Sequence, residues 1–102
     1  MPKFLITYHG VLDTPPTEGA REEMTSAFMN WASSVGDNMV DPGSPLAPSR
    51  IVTSTGDSLG DTEIGGYTII QADNLDEAVD AVRSHPFLSR GGTLHVAEAI
   101  AP

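Results

Sequence analysis

A chain of 102 residues has room for one domain around one modest core, residues 1–102, and not for two. With 14 acidic against 5 basic residues, a formal net charge of −9 and the basic residues scattered, it offers no clustered positive charge to nucleic acid or to an anionic membrane surface. The absence of cysteine excludes a disulfide framework and thiolate-based metal or nucleophile chemistry, and no stretch approaches the roughly 20 apolar residues needed to span a bilayer.

Lys3–Tyr8 predicts the first strand, with Phe4, Ile6 and Tyr8 on one face and Leu5 and Thr7 on the other. Apolar groups on both faces predict a central strand buried on two sides. The chain enters this strand without the basic, apolar and small-residue sections of a signal peptide, so a cytoplasmic protein is expected. A loop from His9 to Pro16 follows, with turn chemistry at Asp13, Pro15 and Pro16, and Thr17 is placed to cap a helix. Met24, Ala27, Phe28, Trp31, Ala32 and Val35 recur at helical spacing and predict an amphipathic helix over about 18–35. Gly36 suits its left-handed C-terminal cap.

Residues 37–66 are rich in Gly, Pro, Ser and Asp. Short extended pieces are expected at Asn38–Val40 and Ile51–Thr55, a second strand and a hairpin-like partner, and Asp57-Ser58-Leu59-Gly60-Asp61 reads as an exposed turn. A segment this long is more than a passive connection.

Residues 64–98 form the most informative stretch. Tyr67–Ala72 has the β-branched and aromatic composition of a buried strand. Asn74 is a good N-cap, and Glu77 completes an Asn-x-x-Glu arrangement for the free amides of the first turn. Leu75, Ala78, Val79 and Val82 form one apolar stripe, Pro86 stops the helix, and Gly91-Gly92 turns the chain into a last strand at Thr93–Glu98.

The order β-α-β-β-α-β predicts an α+β ferredoxin-like sandwich, an antiparallel sheet with both helices on one face. Its other face would stay open in a single copy, and on the first and third strands that face is expected to be largely apolar, so a homodimer is expected, the chain itself being the partner.

The run from Gly65-Gly66-Tyr67 through Asp73-Asn74-Leu75-Asp76-Glu77-Ala78, then His85-Pro86, Gly91-Gly92 and Val96-Ala97-Glu98, resembles the YCII-related (DGPF-domain) family. Gly36-Asp37 leading to Val40-Asp41-Pro42-Gly43-Ser44-Pro45-Leu46 is similar to the same family. The resemblance implies a dimeric α+β barrel. It also implies, for some members, lyase-type chemistry on chlorinated or hydroxylated aromatic rings. Better-studied relatives carry an Arg-x-x-His pattern on helix one, its histidine paired with an aspartate as an acid–base dyad. The matching run here is Arg21-Glu22-Glu23-Met24, so methionine stands at the histidine's place, and the Asp-Gly-Pro-Phe signature is missing.

Of the three histidines, His9 lies where the first strand opens into its loop, a usual place for a functional side chain, and a neutral imidazole there can act as general base. Its alternative is a loop histidine with a backbone partner. Asp41, before Pro42-Gly43, is the best carboxylate; it is either the partner of His9 in proton transfer or a turn starter. His85 ends the second helix, where the dipole favours a cation, and reads as structural. His95 either meets a ligand or is a solvated edge residue. With Trp31, Ser44 and Tyr67, His95 is a candidate for lining a substrate pocket, although Trp31 follows the core stripe. Ser44 has no Gly-x-Ser-x-Gly elbow, which argues against nucleophilic hydrolysis.

No cofactor or metal is expected. There is no His-x-x-x-His, and Asp73, Asp76, Glu77 and Asp80 make a helix N-terminus and a solvated face. Two functions stay open. One is a cofactor-free lyase or isomerase acting by acid–base catalysis on a small apolar or aromatic molecule. The other is a dimeric protein that binds such a ligand, or supports a partner, without turnover.

Overall fold

The computed structural model describes residues 1–10, 18–47, 49–59 and 64–102. The elements run β1 (Lys3–His9), α1 (Glu18–Val35), a 3₁₀ turn, β2 (Met39–Pro45), β3 (Arg50–Thr53), β4 (Gly56–Leu59), β5 (Ile64–Gln71), α2 (Leu75–Val82), α3 (Pro86–Ser89) and β6 (Thr93–Ala99). Four strands form one sheet in the order β2-β5-β1-β6, every neighbouring pair antiparallel, and β3 pairs with β4 apart from it. This α+β arrangement is compatible with a ferredoxin-like fold.

β1 is central, as its composition predicts, but it is buried on one side only. Phe4 and Ile6 are fully buried while Leu5 is 39% exposed. The register sets Phe4 opposite Ile70, Ile6 opposite Thr68 and Tyr8 opposite Gly66. That face meets the helices, so Phe4, Ile6 and Ile70 join Trp31 of α1 and Ala78 and Val82 of α2 in one core. The other face carries Leu5, Thr7, Ile69, His95 and Ala97 by register. It is therefore mixed rather than uniformly apolar, since Thr7 and His95 alternate with Leu5 and Ala97.

α1 follows its predicted stripe: Trp31 is buried, and Phe28, Ala32 and Val35 pack on the core. The indole N–H of Trp31 donates to the carbonyl of Ala81 at 2.9 Å and ties α1 to α2. Gly36 follows at φ +63°, the left-handed value its position calls for. Thr17, Asp13, Pro15 and Pro16 lie outside the described residues.

α2 starts as the sequence predicts, the Asn74 side chain accepting from the Glu77 amide at 2.9 Å. Its buried stripe differs by one turn: Ala78 and Val82 face the core, and Leu75 in the first turn stays at the rim, 48% exposed.

Two stretches of the middle segment differ from expectation. The strand placed at Asn38–Val40 runs on to Pro45, with irregular steps between Met39 and Asp41 and between Asp41 and Ser44. The Asp41-Pro42-Gly43 turn chemistry is present, Asp41 Oδ1 accepting from the Gly43 amide at 2.8 Å, but it makes bulges inside a strand. Gly43, at φ +77°, runs so close to β5 that a Cβ would overlap the Tyr67 carbonyl. Asp57–Leu59, read as a turn, belongs to β4. The reversal is at Ser54-Thr55, where the Thr53 hydroxyl donates to the Gly56 carbonyl at 3.1 Å.

Candidate functional site

His85-Pro86 does more than end α2. α2 stops at Val82, and Pro86 takes the first position of α3, where its missing N–H is no loss. His85 caps that turn: its Nδ1 accepts from the Phe87 amide at 3.0 Å. Nδ1 therefore carries no proton, so the ring hydrogen of the neutral imidazole is on Nε2. Nε2 lies 3.0 Å from the phenol oxygen of Tyr8, to which it donates. The phenol donates in turn to Thr68 Oγ1 at 2.5 Å, because the Thr68 hydroxyl is committed to the Pro42 carbonyl at 3.0 Å. A chain of hydrogen bonds thus runs one way, Phe87 amide and Pro42 carbonyl fixing its two ends.

The surroundings of His85 set its charge. Trp31 lies 4.4 Å away, Tyr8 5.0 Å in an edge-on contact and Phe28 5.8 Å, between ring centroids. Burial in this aromatic cage lowers its pKa from 6.5 to about 4, and the positive charge of Arg90 pushes the same way. The His85 imidazole is neutral at pH 7 and offers a donor. Burial likewise raises the Tyr8 pKa, against a smaller lowering from the Thr68 hydrogen bond, so the phenol is a protonated acid at neutral pH. The expected cationic role of His85 at the end of the second helix is corrected: a cage of three aromatic rings removes the water that the charged form needs.

Tyr8 and His85 look into a cavity of about 450 Å³, within the roughly 300–1,000 Å³ typical of small-molecule sites. α1 contributes Met24, Thr25 and Phe28 to its wall, β2 contributes Pro42–Pro45, and Pro86, Phe87 and Arg90 close it from the α3 side. Phe87 stacks on Tyr8 at 5.4 Å. Its ring lies where a side chain at position 92 would be, so Gly92 makes room for this wall. A second depression of about 160 Å³, beside Met1, Asn38 and Gln71, is too small for a comparable ligand.

The residues singled out from the sequence fall into three places. Ser44 and Tyr67 border the cavity, and Met24 lines it from α1. Trp31 is buried behind His85. His9 and His95 stack on each other at 3.8 Å on the sheet face turned away from the helices, with His9 Nε2 2.7 Å from the Thr7 hydroxyl. His9 and Asp41 are not brought together. Their partners on β5 are Ile64 and Ile69, five positions apart, so about 17 Å of strand separates their levels. Among the described residues no group of three or more His, Cys, Asp or Glu side chains is placed to hold a metal.

Tyr8, Thr68 and Arg90 are not singled out by the sequence, and His85 reads there as structural only. The usable signals were a histidine directly before a proline that opens a new turn, and a threonine at a core position of β5.

No family model matches the chain, and no curated protein matches it. Among solved structures it is similar to 5-chloro-2-hydroxyhydroquinone dehydrochlorinase (TftG) from Burkholderia phenoliruptrix, in complex with 2,5-dihydroxybenzoquinone. The TM-score is 0.60 at 20% sequence identity, and the match covers 98% of this chain and 95% of that one. The chain therefore shares, over almost its whole length, the α+β fold of that enzyme.

Proposed function

We propose that this protein is a cofactor-free enzyme of the lyase or isomerase type, acting on a small aromatic or quinonoid ring held in the Tyr8–His85 cavity. The observation that carries this reading is the pair itself: two titratable groups in hydrogen-bond contact at the wall of a ligand-sized cavity, the phenol kept protonated and the imidazole kept neutral. Tyr8 passes its phenol proton to a ring oxygen or carbon of the substrate. His85 Nε2–H holds the phenolate left behind, and the proton returns to Tyr8 when the ring tautomerises or expels its leaving group. His85 is the donor that steadies Tyr8, because both of its nitrogens are already engaged. The shared fold with a dehydrochlorinase, together with the aromatic rings in the cavity wall, supports a ring substrate.

The resemblance to the YCII-related family further supports a dimeric α+β barrel. Two copies would meet through the sheet face of Leu5, Ile69 and Ala97. Sedimentation at micromolar concentration tests this, and a lone monomer there counts against it.

The second reading, a binding protein without turnover, is favoured by two observations. Every buried polar side-chain atom among the described residues already has a partner, and the α1 residues that line the cavity, Met24, Thr25 and Phe28, include no histidine or carboxylate. The deciding experiment offers 5-chloro-2-hydroxyhydroquinone and related hydroxylated rings to the full chain, follows their absorbance, and compares Tyr8→Phe. Accelerated loss of the substrate that Tyr8→Phe reduces by roughly 10²–10⁴ supports the enzyme. Binding without acceleration supports the second reading. Absence of both removes the cavity as the site.

A further inference from the structure

The cavity reverses the electrical character of the chain around it. The protein carries 14 carboxylates and 5 basic side chains, yet among the described residues no Asp or Glu lines the cavity and Arg90 does. Arg50 is paired with Asp57 at 2.6 Å and Arg83 with Asp80 at 3.2 Å. Arg90 has no carboxylate partner among the described residues, and its charge is felt by His85. Of the other polar side chains of the wall, the Tyr8 phenol and His85 Nε2–H already give their hydrogens within their own network, and Thr25 brings a further hydroxyl. The remaining surface is apolar, with Phe28, Phe87 and Met24 available to a flat ring. A cavity whose described residues offer an exposed guanidinium and no carboxylate suits a negative oxygen on an apolar body.

We infer that the ligand enters as an anion, an aromatic or quinonoid ring bearing an ionised ring oxygen or carboxylate, and that Arg90 is the residue that recognises this charge. The inference deepens the ring-substrate reading and rests on it. Position 90 also bears on how a protein of net charge −9 admits an anion: the charged side chain at the cavity wall is positive. A salt-dependent affinity follows, because the guanidinium is solvent-exposed until the ligand covers it.

The test measures binding to the full chain by Trp31 fluorescence and calorimetry at neutral pH. The probes are 2,5-dihydroxybenzoquinone, which is ionised there, and its neutral dimethyl ether, with benzoate and benzamide as a second pair. The wild type is expected to prefer at least one anion over its neutral counterpart by about tenfold or more. Arg90→Gln should abolish that preference while leaving the neutral ring's affinity nearly unchanged, and Arg90→Lys should restore part of it. Preference confined to the quinone pair identifies a ring oxyanion, and preference confined to the benzoate pair a carboxylate.

Equal binding of charged and neutral rings, or a preference that survives Arg90→Gln, overturns the role of Arg90 and leaves the Tyr8–His85 chemistry standing. An Arg90-dependent preference with no turnover of any ring supports the anion site and removes the enzyme. No binding of any probe overturns both.

Discussion

His85 gives its Nε2 hydrogen to the phenol oxygen of Tyr8 across 3.0 Å, from a position 77 residues further along the chain. The bond joins the end of a central strand to the cap of a one-turn helix. Neither residue can be replaced without exposing an unmet hydrogen-bonding group on the other, since the backbone holds both far ends of the network.

Tyr8→Phe keeps the ring and its stack on Phe87 but removes the acceptor of His85 Nε2–H. A buried donor left alone costs about 1–3 kcal/mol. Urea denaturation should show that loss, and the variant should retain ring binding while losing proton-transfer turnover. Unchanged stability would mean that water replaces the phenol oxygen at no cost, and the network would then be dispensable.

Acid should weaken the fold through His85. The folded protein holds this histidine at about 4 against 6.5 for an ordinary imidazole, so between those values the unfolded chain binds the extra proton. Its contribution is complete above about pH 6.5 and is lost as pH falls toward 4. Urea midpoints of the wild type and His85→Gln, compared between pH 7 and 5, should converge as the pH drops. Parallel curves would show that the imidazole titrates normally.

His9→Ala and Asp41→Ala address the pair the sequence suggested. Their side chains are engaged elsewhere, His9 with Thr7 and His95 and Asp41 with the Gly43 amide. His9→Ala should leave turnover within about twofold of wild type, as expected of a site outside the cavity. Asp41→Ala should act through stability alone. A large turnover defect in His9→Ala with intact folding would return the chemistry to the open sheet face.

Gly43→Ala should be among the most damaging single methyl additions. A left-handed φ costs about 1–2 kcal/mol for any other residue, and overlap with the Tyr67 carbonyl adds roughly 1–3 more. Gly36→Ala shares the positive φ, at +63°, but meets no neighbouring atom, so it should cost only the first part. The difference between their thermal melts isolates the close approach of β2 to β5. Equal melts would mean that β2 moves aside freely.

What the sequence made legible was periodic or capped. The α1 stripe, the Asn74 cap and the β1 alternation each rest on neighbours close along the chain, and each appears where it was expected. The site was not legible because it is assembled from distant pieces. His85 looks like the tail of α2 until Pro86 is seen to open another turn. Tyr8 looks like one more core aromatic until the register brings Thr68 beside it. The pairing of His9 with Asp41 was reasonable by residue type alone. Strand order settles it otherwise, since the β5 strand lies between them and their levels differ by five residues. Asp41-Pro42-Gly43 shows the same limit: its local chemistry was readable, but whether such a kink ends a strand or bends it depends on the strand alongside.

The bare backbone at Gly92 has a consequence for how this chamber can change over time. The Phe87 ring leans into the space a side chain there would fill, and the same residue lines the chamber. A single methyl at 92 would displace that ring and change the room available, without changing the identity of any side chain a guest molecule touches. The calibre of the chamber is thus adjustable from behind, which makes this hidden hinge a natural first place to search when relatives accept rings of another size.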